Sequence, residues 1–110
     1  MEVTNIPKLL SNHPEGSFLD FSHFNQRTFG TCNFTGVAPG WEMHPDTDEF
    51  FYVISGCVEI TLLKDSGPEH YVAPAGCSFD AARHLAQAWR AQWRQVHLLH
   101  ARAVAVLGER

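Results

Sequence analysis

A strand-turn-strand pattern between Phe50 and Leu63 restricts this chain more than any other feature. Phe50-Phe51-Tyr52-Val53-Ile54 is an aromatic, β-branched run, and Ser55-Gly56 reads as a tight hairpin turn. Cys57 to Leu63 then alternates, with Val58, Ile60 and Leu62 on one side and Cys57, Glu59, Thr61 and Leu63 on the other. Further β-type runs flank this hairpin: residues 17–21 and 27–35 before it, and 69–73 after a turn at 64–68, ending at Pro74-Ala75-Gly76. Short strands at this spacing predict an all-β sandwich or barrel over residues 17–79. Residues 1–16, with Pro7, Asn12, Pro14 and Gly16, read as an N-terminal arm with room for one helical turn at Lys8-Leu9-Leu10.

A length of 110 residues predicts one domain whose small core favours oligomerisation, as a homodimer. No apolar run approaches the roughly 20 residues that span a bilayer. The first ten residues lack the basic start and apolar stretch of a signal peptide, so no membrane and a cytoplasmic location are expected. Cys32, Cys57 and Cys77 are an odd set without a C-x-x-C pair, which speaks against a disulfide framework or structural zinc and predicts reduced, buried residues. Asn33-Phe34-Thr35 has the form of a glycosylation acceptor, read as accidental in a chain without a secretory signal. There is no nucleophile-base motif, phosphate-binding glycine loop or dinucleotide fingerprint, and scattered arginines without a binding fold give no case for nucleic acid.

The chemistry is concentrated just before the hairpin. Glu42 and His44 are two residues apart between Gly40 and Pro45, so in an extended segment their side chains leave one face while Trp41 and Met43 leave the other. Glu49 opens the next strand after the polar loop 45–48. Two short strands joined by that loop would bring Glu42, His44 and Glu49 to one inward-facing point. Carboxylate oxygens with an imidazole nitrogen suit a divalent metal such as iron(II), manganese, nickel or zinc. The alternative for the same residues is a solvated acidic loop with one polar histidine.

The pattern resembles the first motif of the cupin family, in which two histidines separated by one residue are followed by a glutamate and then a glycine. His44, Glu49 and Gly56 fall on the second histidine, the glutamate and the glycine, while Glu42 stands where the first histidine is usual. The resemblance covers about residues 18–79. It implies a cupin-like β-barrel holding a metal or a small-molecule ligand, with dioxygenase, isomerase or decarboxylase chemistry and with Phe51 and Val53 shaping the pocket. A metal-free ligand-binding or structural cupin is the second reading.

After Phe79 the composition changes. Three Lys/Arg against ten Asp/Glu up to that point give way to five against two from Asp80 to Arg110, and alanine rises from three residues to eight. Leu85, Trp89, Trp93 and Val96 recur at near-helical spacing, so residues 80–110 are expected to be an atypical, helical tail, with a helix from Ala81 to about Leu99. Its apolar stripe, or a second chain, would cover the interior of a barrel left incomplete. The cupin second motif should run from Gly76 to a final metal-binding histidine, yet positions 82–87 read Ala-Arg-His-Leu-Ala-Gln. Read one base later, codons for Leu85 to Trp89 permit Trp, His, Lys or Arg, and Pro, and force Gly, which predicts a coding frameshift just after Asp80. His70 reads as a surface residue and His84 as wrongly oriented to replace the missing ligand. His97 and His100 form an i, i+3 pair on the expected helix. With that ligand missing, enzymatic activity of the chain as written is expected to be absent or strongly reduced.

Overall fold

The computed structural model describes residues 3–37, 40–83, 85–92 and 95–103. A short helix, α1 (Ile6–Ser11), is capped by the Asn5 side chain, which accepts a 3.0 Å hydrogen bond from the Lys8 amide. Eight strands follow: β1 (Leu19–Phe24), β2 (Arg27–Phe34), β3 (Glu49–Ser55), β4 (Cys57–Lys64), β5 (Gly67–Pro74), β6 (Ser78–Ala81), β7 (Ala86–Ala91) and β8 (Val96–Ala103). They form two antiparallel sheets, one ordered β1-β2-β8-β3-β6 and the other β5-β4-β7.

Local chemistry sets the turns. Asn25 and Gln26, both at positive φ, make the two-residue link between β1 and β2, the backbone that a primed hairpin turn requires. Gly56 links β3 to β4 at φ 82°, and a Cβ there would lie 2.5 Å from the Gln95 carbonyl oxygen. Both the turn and the neighbouring chain therefore exclude a side chain.

The inward sides of the two sheets meet in a core of Cys32, Phe34, Phe51, Val53, Val58, Ile60, Trp89, Val96 and Leu98 with smaller residues between them. Trp89 is its hub. Phe51 meets the Trp89 ring edge-on at 4.5 Å between centroids and stacks on Phe79 at 4.7 Å.

The expected helical tail is corrected by the structure. Residues 86–91 and 96–103 are strands, and the 79/80 boundary falls inside β6. β7 pairs with β4, and β8 fills the space between β2 and β3. The residues alternate at period two as well as at helical spacing: Gln87, Trp89 and Ala91 point inward on β7, and Val96, Leu98 and His100 on β8. Unpaired edges on β2, β3 and β4 then decide the matter, since each strand added there satisfies a full ladder of backbone groups. Leu85 lies in the loop before β7, and His84 and Trp93 lie outside the described residues. The cysteines differ from one another: Cys32 is buried, Cys57 half-buried and Cys77 exposed. Among the described residues no helix is long and apolar enough to cross a membrane.

Candidate metal centre

Glu42, His44 and Glu49 converge, each offering one ligand atom, with all three atoms within 4.8 Å of one another. Glu42 is positioned by an isolated bridge to β7, its amide donating to the Gln87 carbonyl at 2.9 Å and its carbonyl accepting from the Gln87 amide at 2.8 Å. Glu49 is the first residue of β3 and points inward with Phe51 and Val53. Between these anchors, His44 Nε2 lies 2.7 Å from Glu42 Oε1 and 3.0 Å from Glu49 Oε1. One imidazole nitrogen facing two carboxylate oxygens at such spacings is a donor set that a divalent cation can share, because ligands bound at about 2.0–2.2 Å lie about 3–4 Å apart. The residues present therefore fit a metal.

The electrostatics centre on Glu49, the buried member of the three. Burial pushes the Glu49 carboxyl up to about 7 and Glu42 adds to the rise, while His44, Arg102 and the Gln87 amide oppose it. Burial likewise pushes the nearby Cys32 thiol up to about 12, with Glu49 and Glu42 adding to the rise. On the loop beside Glu49, Asp48 is tied to Arg83, whose amide and guanidinium donate to it at 2.9 and 3.2 Å and hold its carboxyl below the usual range.

Three residues around this centre were not singled out as site residues from sequence. Gln87, 2% exposed, stands beside Glu42, accepts from Trp89 Nε1 at 2.9 Å and directs its amide nitrogen at Glu49 Oε1, 3.4 Å away. Its carbonyl is thus engaged by Trp89, and Gln87 orients Glu49 rather than adding a ligand. His100, expected on a helix three residues from His97, sits on β8 and points inward, whereas His97 faces the other side and meets Thr31 Oγ1 at 2.9 Å. His100 is 2% exposed, both its ring nitrogens lack hydrogen-bond partners, and Nδ1 is 3.8 Å from Glu49 Oε2. Burial pushes its pKa down to about 4. Arg102 follows on the same face, with Nη1 also 3.8 Å from Glu49 Oε2. The alternation Val96, Leu98, His100, Arg102 carried this signal once the segment was read as a strand. His70 stays at the surface, hydrogen-bonded to Thr61 at 2.9 Å.

No protein-family model and no curated protein matches the sequence. Solved structures do. A cupin-2 domain protein from Shewanella frigidimarina superposes with a TM-score of 0.76 at 20% identity, covering 92% of this chain and 94% of its own. Hydroquinone 1,2-dioxygenase from Sphingomonas sp. TTNP3, with 4-hydroxybenzoate bound, gives 0.75 at 17% identity over 93% of this chain and 74% of its own. KdgF from Halomonas sp. gives 0.68 at 18% identity over 82% and 79%. At these identities the likeness establishes the fold.

Proposed function

We propose, taking the cupin fold as premise, that this chain binds a divalent metal through Glu42, His44 and Glu49 beside a small-molecule pocket, a site descended from a metal-dependent enzyme. The observation that carries this reading is the convergence of the three donors on one point, with His44 Nε2 between two carboxylate oxygens. The dioxygenase with its bound 4-hydroxybenzoate supports it as a relative in fold. Iron(II), manganese, nickel or zinc all suit the set. Such an ion, when bound, would polarise an oxygen of the ligand or activate dioxygen. The chain itself supplies the rest: Gln87 orients the Glu49 carboxylate, and the buried Phe51–Trp89 pair packs in the core beneath β3. Uptake of zinc or manganese by chelator-free protein, measured against His44→Ala, tests this; equal, near-zero occupancy in both would overturn it.

The second reading, a metal-free ligand-binding or structural protein, is favoured by Gln87, which fills the place next to Glu42 without offering a free oxygen. On either reading we expect little catalytic activity. We propose separately that the coding DNA carries a frameshift just after Asp80. The shifted frame permits a histidine at the codon of Ala86, beside Gln87, whereas the residues as written already supply β7 and β8. An uninterrupted frame through codon 80 in the source DNA would refute it. Exposed Phe50, Tyr52 and Ile54 on the outer side of β3 support the homodimer expectation, which sedimentation checks.

A further inference from the structure

We propose that Arg102 and His100 form an anion-binding subsite against the Glu42–His44–Glu49 centre, so that the ligand of this pocket is a small organic acid. The inference rests on the metal reading above and goes beyond it by naming the substrate class. Glu49 stands between two groups: its Oε1 faces His44 and Gln87, and its Oε2 faces His100 Nδ1 and Arg102 Nη1, each at 3.8 Å. Neither 3.8 Å contact is a hydrogen bond. His100 is therefore a buried imidazole with two unused ring nitrogens, a costly arrangement that a ligand oxygen would relieve. On the far side the Gly30 backbone packs closely against the ring, since a Cβ there would lie 2.7 Å from His100 Nε2. Asp20, which approaches Gly30 on that side, is solvent-exposed.

Arg102 adds the charge. Its side chain is 35% exposed, so it reaches from the rim to Glu49 with donors free for a ligand. Two carboxylates balance a divalent cation, which leaves the guanidinium uncompensated once the centre is loaded. A monoanion neutralises the pocket, and a carboxylate matches the planar fork of guanidinium donors. An acid carrying a hydroxyl or carbonyl oxygen next to its carboxylate would span both halves: the oxygen toward Glu42, His44 and Glu49, the carboxylate toward Arg102 and His100.

Glycolate and glycolamide, which share a shape and differ in charge, provide the test. Protein loaded with cobalt(II) is titrated with each and followed by the visible cobalt spectrum. Glycolate should bind about tenfold or more tightly than glycolamide, as a charged hydrogen-bonded pair demands. In Arg102→Gln, compared at saturating cobalt, that preference should fall to near one, and Arg102→Lys should keep part of it. In parallel, the His100 ring resonances of metal-free protein are followed by NMR as glycolate is added, in wild type and in Arg102→Gln. Cobalt uptake with equal binding of the two compounds, or a preference that survives Arg102→Gln, overturns the subsite and leaves the metal reading standing. No cobalt uptake, with His100 still shifting in wild type alone, overturns the metal reading and supports the subsite. No response in either experiment overturns both.

Discussion

Glu49→Gln keeps the shape of the side chain and removes the charge that burial makes costly, so in metal-free protein it should stabilise the fold at alkaline pH. Burial moves the Glu49 carboxyl from 4.5 to about 7. At about 1.4 kcal/mol for each tenfold in proton affinity, the ionised carboxylate costs the native state about 3 kcal/mol at pH 8. Because the folded value lies above the unfolded one, this group's stability is complete below pH 4.5 and is lost as the pH rises through 7. The glutamine chain has no such loss. The value of about 7 already contains the attraction of Glu49 for His44 and Arg102, so the expected gain is about 3 kcal/mol, or roughly 15 °C in Tm for a domain of this size. His100 titrates in the opposite sense: its stability is present above 6.5 and lost as the pH falls through about 4. That contribution is common to both chains and cancels in the difference. Urea unfolding with EDTA at pH 8 and pH 5 measures the two differences. A variant no more stable than wild type at pH 8, or an advantage that does not shrink at pH 5, would refute a buried, unfavourably charged Glu49. Excess zinc should reverse the order, since a ligand at about 1,000 times its Kd stabilises by about 4 kcal/mol and only the wild type retains all three donors.

Further expectations follow from the packing. Gly30→Ala should destabilise by about 2 kcal/mol or more through overlap with His100, and His100→Ala should remove most of that penalty in the double variant; additive losses by denaturant titration would contradict the close approach. Trp89→Ala should cost about 3–5 kcal/mol and abolish cooperative unfolding by near-UV circular dichroism, whereas a Trp89 on a loose tail would be silent.

The first half of the chain was legible because there a single period fits. Residues 50–54 are an aromatic, β-branched run, residues 57–63 alternate in only one sensible way, and β3 and β4 lie within one residue of the expected bounds. Glu42, His44 and Glu49 were legible for the same reason, since extended geometry puts alternate residues on one face. The second half failed where two periods compete. Leu85, Trp89 and Val96 satisfy a helical stripe, alanine strengthens that preference, and the pairing of distant edges that favours strands leaves no local mark. Reading a helix there also hid Gln87, His100 and Arg102, because only strand alternation puts them beside Glu49.

The place of β8 bears on how the chain acquires its fold. β8 is the last described strand in sequence, yet it lies between β2 and β3 in the larger sheet. Until it arrives, two strands made much earlier keep bare edges, and at translation rates of about 5–20 residues per second they wait for seconds. Pairing across so long a stretch of chain is slow. The nascent chain thus passes through an aggregation-prone interval that lasts until β8 is delivered, which makes holding factors and low synthesis temperature the natural levers on its soluble yield.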